Sequence, residues 1–175
     1  MTSSQPDRRS AQAFTLIEIV VSLFIVLLIM GISTLSFDTV VKESRLENAA
    51  TALKLTARKA MRESVEKRRS YQIILMPTYL TVGRQLTEQE LASGETDRPT
   101  GSRTDFESGI VLRVKRWTDA GWRPPAENGD VWRFEPSGIT EPLSVRLDYD
   151  DSFIEMQFNP LTAHVEEDGV RMVIN

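Results

Sequence analysis

Residues 14–37 read FTLIEIVVSLFIVLLIMGISTLSF, a run with one ionisable side chain, Glu18. As a helix it rises about 36 Å, at about 1.5 Å per residue, and so can cross a hydrocarbon core about 30 Å thick. The leader before it, residues 1–13, reads MTSSQPDRRSAQA and carries Arg8 and Arg9. Basic residues beside a span mark its cytoplasmic side, so everything after Phe37 is expected outside. Two other readings fit the same run. A cleaved secretory signal has an apolar stretch of about 7 to 15 residues ending in a small-x-small site, and Ile19 to Met30 followed by Gly31-Ile32-Ser33 has that form. An uncleaved signal anchor needs only the apolar length.

Glu18 separates these readings. A carboxylate inside the membrane costs about 2.5–3.5 kcal/mol at a helix centre and less near an interface, so it calls for a partner. An anchor or a signal peptide would not need one. The plainer account is that Glu18, one turn from the leader, reaches back to the headgroups.

Ala13-Phe14-Thr15-Leu16-Ile17-Glu18, after a short basic leader, resembles the type IV prepilin processing motif, which usually has Gly in the first place. The resemblance implies that a membrane prepilin peptidase cuts between Ala13 and Phe14 on the cytoplasmic side and methylates the new amino terminus at Phe14. Ala13 departs from the usual Gly while remaining small. Cleavage would create a cationic α-amine at Phe14, and the Glu18 carboxylate would lie one helical turn along. It could neutralise an amine on its own or a neighbouring chain, which makes Glu18 a subunit-docking charge.

No proline occurs between Pro6 and Pro77, so nothing forces a helix break after Phe37. Leu46, Ala49, Ala50, Leu53, Ala57, Ala60, Met61 and Val65 recur at spacings of three and four and mark an apolar face on an amphipathic helix over 38–70, reaching roughly Arg69. From Phe14 the whole helix would be a rod of about 80 Å. Lys54, Arg58 and Arg62 share a face; they read either as a solvated face or as a basic strip for an acidic neighbour.

After Arg69 the period changes to two. Tyr71–Leu75 and Thr78–Val82 flank Met76-Pro77 as a hairpin, and residues 83–109 read as a long loop with one helical turn near Glu88 to Leu91. Strands are expected around Ile110–Val114, Val131–Glu135, Leu143–Tyr149, Ile154–Phe158, Ala163–Val165 and Val170–Ile174, with turns at Asn128-Gly129, Pro136-Ser137-Gly138, Asn159-Pro160 and Asp168-Gly169. The fold class is therefore α+β, a long N-terminal helix packed on an antiparallel β head over 71–175.

Phe134-Glu135-Pro136-Ser137-Gly138, a strand, then Asn159-Pro160-Leu161-Thr162-Ala163 is similar to the late part of H-type minor pseudopilins of type II secretion systems and the related GspH/FimT-like minor pilins. Ala163 stands where that family has Gly. The resemblance implies a non-enzymatic subunit held in the cytoplasmic (inner) membrane by a single pass, with a periplasmic head, that joins a pseudopilus. Its partners would be the prepilin peptidase, the cytoplasmic membrane and other pseudopilins or pilins. The runner-up is a minor type IV pilin serving adhesion, motility or DNA uptake. A third reading is an unprocessed single-pass binding protein.

Residues 71–175 carry ten Lys or Arg against eighteen Asp or Glu. That acidic balance disfavours phosphate backbones, so no nucleic-acid partner is expected. Cysteine is absent, which excludes disulfides, thiolate metal sites and a Cys nucleophile. His164 is the sole histidine, too few for a catalytic His pair or a His-rich metal site, and is expected on a strand. Ser64-x-x-Lys67 has the spacing of a serine-lysine acylase without its companion motifs. Asp148, Asp150 and Asp151 read as a solvated turn or, less simply, a calcium loop. Trp117, Trp122 and Trp132 would close the core or cover an interface. No catalytic residue, cofactor or metal is expected.

Overall fold

The structure, a computed structural model, describes residues 15–86, 92 and 101–175, the side chains of 32–38 excepted. A helix, α1 (Leu16–Lys67), precedes eight strands: β1 (Tyr71–Leu75), β2 (Tyr79–Arg84), β3 (Arg103–Asp105), β4 (Ile110–Arg116), β5 (Asp130–Phe134), β6 (Leu143–Tyr149), β7 (Ser152–Phe158) and β8 (Val165–Val173). The chain divides into two compact units, Met1–Asp38 and Thr39–Asn175. In the first, the described residues are helical from Leu16 on and apolar on every side.

In the second unit α1 is one-sided. Leu46, Ala49, Ala50, Leu53, Ala57, Ala60 and Met61 are buried in one cluster with the sheets. Four of these seven are alanines, so the helix backbone lies close to the strands. The expected next position, Val65, is 47% exposed, and Ser64 takes the buried place. The helical period of 3.6 residues carries the buried arc from Ala57 through Ala60 and Met61 onto Ser64 and leaves Val65 outside it. The Ser64 hydroxyl lies 2.7 Å from the Met61 carbonyl and 3.2 Å from the Glu135 carbonyl, so burial leaves its proton an acceptor. The helix ends where expected, within two residues. Arg68 adopts φ 50°, its N–H donates to Val65 O, and the Arg69 N–H donates to Ser64 O. This pair of bonds is a Schellman cap, closed by arginine where glycine is usual.

The head is antiparallel throughout, in two four-stranded sheets ordered β3-β2-β1-β5 and β4-β6-β7-β8. Alternation places Ile110, Leu112 and Val114 of β4, Leu143, Val145 and Leu147 of β6, and Ile154, Met156 and Phe158 of β7 inward. Trp132 of β5 sits fully buried between Phe134 and Phe158, ring centroids 4.6 Å and 4.9 Å away, and so joins the two sheets. Its indole N–H donates to the Glu141 carbonyl at 3.0 Å. Trp117, in contrast, is 79% exposed and closes no core.

The expected hairpin β1–β2 is present. The long loop 83–109 is corrected: β2 runs on to Arg84, and β3 adds an edge strand to it. Three polar residues, Arg-Thr-Asp, carry no apolar alternation, and backbone pairing alone defines this strand. Gly101 precedes it; a Cβ there would fall 1.2 Å from the Val82 carbonyl, so only glycine fits. The helical turn expected at Glu88 to Leu91 lies outside the described residues.

The two last strand candidates merge into one, β8. Its register against β7 shifts between Met156, paired with Val170, and Phe158, paired with Val165. Residues 166–169 bulge outward opposite Gln157, and Asp168-Gly169 marks this bulge rather than a hairpin turn. Ala163 and His164 precede the strand. Ala163 is buried at φ 51°, its N–H bonded to Asn159 O, while Asn159 N–H donates to His164 O. The left-handed backbone at Ala163 is the physical reason glycine is favoured there. His164 is exposed in this turn, not on a strand.

Two ionic clusters tie loops to the frame. Lys42 of α1 reaches Asp150 at 3.0 Å and Asp151 at 2.8 Å across the β6–β7 turn, and donates to the Asn175 carbonyl at 2.9 Å. Asp130, whose side chain is 8% exposed, takes two bonds from Arg123 at 2.7 and 2.8 Å and one from the Ala126 N–H at 3.0 Å, which fixes the segment before β5. Arg116 adds a contact at 3.5 Å and also pairs with Glu141.

Arg123 beside Asp130 holds its carboxyl below the usual carboxylate range. A depressed folded-state value means the stabilisation is whole above the unfolded-state pKa, about 3.9, and is lost as pH falls through the lower folded value. Asp130→Asn should cost about 2 kcal/mol near neutrality, because Arg123 loses its charged hydrogen bonds to Asp130 while keeping Asp119 at 3.2 Å. In thermal melts followed by circular dichroism, the variant should lose less stability than the parent as pH drops from about 6 to about 2.

Candidate functional site

The start of α1 carries the residues singled out for assembly. Thr15 stands before the first helical residue, and its hydroxyl accepts the Glu18 N–H at 3.3 Å. The Thr15 carbonyl accepts N–H groups from Glu18 at 3.1 Å and Ile19 at 3.3 Å. Thr15-x-x-Glu18 therefore has the spacing of a capping box, with the threonine hydroxyl and carbonyl sharing the Glu18 N–H at the helix start. That signal is legible in the sequence, yet the reading of Glu18 as a charge passes over it. The Glu18 carboxylate is exposed, and among the described residues it makes no ion pair. Ala13 and Phe14, the expected scissile pair, lie outside the described residues.

Thirteen large apolar side chains between Leu16 and Met30 are 48–81% exposed, distributed around the whole helix. A helix apolar on all sides belongs in a protein core or a membrane. At roughly 1.5 kcal/mol or more for each such side chain covered, the driving force to hide them is on the order of 20 kcal/mol. That exceeds the net stability of a typical domain. No helix among the described residues is long and apolar enough to cross a membrane; the run whose side chains are described stops at residue 31, short of the expected 14–37 span.

The other candidates for chemistry are absorbed by the fold. Ser64 is fully buried, and Lys67 pairs with Glu63 at 3.0 Å, so the two do not form a nucleophile and base. Asp150 and Asp151 face Lys42, while Asp148 pairs with Arg113 at 3.1 Å and Arg146 at 2.7 Å. No cluster suited to a metal ion occurs among the described residues. Of the basic strip, Arg62 pairs with Glu66 at 3.9 Å, and Arg58 is exposed without an acidic partner among the described residues.

The family described as the prokaryotic N-terminal methylation motif matches residues 8–34. Among solved structures, the chain is similar to the type IV minor pilin FimU of Pseudomonas aeruginosa (strain PAO1), at 14% identity and TM-score 0.50, over 71% of this chain and 89% of that one. It is also similar to the minor pseudopilin EpsH from the type 2 secretion system of Vibrio cholerae, at 13% identity and TM-score 0.46, over 74% of this chain and 97% of that one. No curated protein sequence matches it. The chain is thus prepilin-like at its amino terminus and has an α+β pilin-like fold.

The capping geometry separates the backbone role of this turn from any role of the Glu18 charge. Thr15→Val should speed amide exchange at Glu18 about fivefold, the loss of a cap worth about 1 kcal/mol. Glu18→Gln should leave that rate within about twofold, since the capped group is the backbone N–H and not the carboxylate. Hydrogen exchange on the full chain in detergent micelles measures both.

Proposed function

We propose that this chain is a minor pseudopilin, a structural and assembly subunit of a type II secretion pseudopilus. The observation that carries the reading is the methylation motif at residues 8–34 running directly into an apolar helix with no covered side. The peptidase cuts between Ala13 and Phe14 and methylates Phe14. The subunit waits in the cytoplasmic membrane, with residues 14–37 as its single pass and its head in the periplasm. On assembly the same apolar surface passes from lipid to neighbouring subunits, an exchange between two apolar environments that needs little driving force of its own. Glu18 contributes direction: held in a low-dielectric surrounding, it favours the register in which a cationic Phe14 amine lies beside it.

The fold of the head supports a filament subunit and does not choose between a secretion pseudopilus and a type IV pilus. The pilus reading is favoured by the likeness to FimU. The two separate on cargo: a pseudopilus subunit is needed for export of a secreted protein, and a pilus subunit for surface filaments, adhesion or DNA uptake. DNA binding by the isolated head would favour the pilus.

Mass spectrometry of the mature protein should find N-methylated Phe14 as its first residue; a chain still beginning at Met1 or Thr2 while functioning normally would overturn the reading. Ala13→Asp should abolish cutting, because an acidic side chain is neither small nor neutral, and the electrophoretic shift of processing should vanish with it. Glu18→Ala and Glu18→Gln should insert into the membrane normally but enter sheared filaments poorly. Undiminished incorporation would remove Glu18 from the mechanism.

A further inference from the structure

The outer face of the sheet β4-β6-β7-β8 is not flat. Three adjoining hollows of about 270, 420 and 330 Å³ run across it, and Gln157 lines all three. Lys115 of β4, Ser144 of β6 and Gln157 of β7 stand side by side in the strand register and form the floor. Trp117 walls one end, and at the other the bulge of β8 brings up Asp168 and Gly169. Four strands about 4.8 Å apart make this trough roughly 15 Å long. The bridge between Val114 and Arg123 sets Trp122 opposite Lys115, on the same outer face, where it flanks the trough.

The fold makes no use of these side chains. Among the described residues, Lys115, Ser144, Gln157 and Asp168 make no side-chain hydrogen bond or ion pair, and the indole N–H groups of Trp117 and Trp122 have no acceptor. Trp117 is 79% exposed and Trp122 half-buried, whereas Trp132 is sealed in the core. Uncovered aromatic surface around a few unpaired polar groups is the pattern of a cleft that takes a ligand, the first giving affinity and the second orientation.

Charge and direction narrow the occupant. In the largest hollow Lys115 and Arg171 are matched by Glu155 and Asp168, and Glu166 lines the next, so a strongly charged ligand is not favoured. The trough crosses the strands, whose backbone groups are already paired in the sheet, so a peptide cannot add itself as another strand. Hydroxyl, amide, ammonium and carboxylate together offer donors and acceptors, which suits an uncharged ligand whose own groups do both. We propose that this trough binds a neutral saccharide chain. Its hydroxyls bond to Lys115, Ser144, Gln157 and Asp168, and the C–H faces of its rings lie on Trp117 and Trp122. The length admits a short oligosaccharide rather than a single sugar. Such a site would serve a pseudopilus or a pilus subunit alike and does not depend on filament assembly.

The full chain, purified in a detergent without a sugar headgroup, is titrated with chitotetraose, cellotetraose and maltotetraose. Tryptophan emission should shift and saturate with at least one of them, and because Trp132 is fully buried the change reports Trp117 and Trp122. Calorimetry reads the variants, since removing a tryptophan removes its signal. Trp122→Ala should weaken binding about tenfold, the loss of one stacking face, and Gln157→Ala about fivefold. Trp117→Ala, at a position too exposed to unfold the head, should weaken it by a similar factor. Raising salt from about 50 to about 500 mM should leave the affinity within about twofold, because the sugar carries no charge to screen. Binding that survives all three substitutions lies elsewhere and overturns the proposal. Tighter binding of heparin or of an unstructured peptide to the same residues also overturns it, as does failure of all three sugars to bind a chain with native circular dichroism.

Discussion

A helix that is apolar on every side cannot be left in water, and this constraint organises the rest of the molecule. The head cannot offset it: hiding thirteen large apolar side chains between Leu16 and Met30 involves a free energy on the order of 20 kcal/mol, more than a domain of this size holds in net stability. The head therefore has to be stable by itself and leave that segment to other surroundings. Alanines at 49, 50, 57 and 60 let the second stretch of α1 lie close to the sheets. Trp132, wedged between Phe134 and Phe158, then joins the two sheets into one core.

Polar groups inside this arrangement are matched by position. Ser64 is buried where the helical period demands a core residue, and it is tolerated because the Met61 and Glu135 carbonyls accept its proton. Asp130 is buried beside Arg123, and Lys42 gathers Asp150, Asp151 and the Asn175 carbonyl. These contacts hold the loops that carry little apolar surface of their own. A head fixed in this way presents the outer side of α1 as a rigid surface.

Much of this was legible in the residues. The three- and four-residue spacing located the buried face of α1, and strict alternation located β4, β6 and β7, because those strands each have one dry and one wet side. Reading failed where no side-chain period exists. β3 is held by backbone pairing across three polar residues, and β8 reads as two strands because four residues swell out of its ladder. Val65 was misplaced because three- and four-residue steps fit it as well as Ser64; only the accumulated turn of the helix distinguishes them. At the amino terminus the capping threonine was visible in Thr15-x-x-Glu18 but was eclipsed by the charge beside it.

The swelling of β8 at residues 166–169 has a further effect. β8 is an edge strand of its sheet, and a flat, regular edge would invite other chains to pair with it through their backbones. Glu166, Glu167 and Asp168 protrude there, exposed and of one sign. The irregularity and its three carboxylates act as a guard rail, making this edge a poor template for backbone pairing.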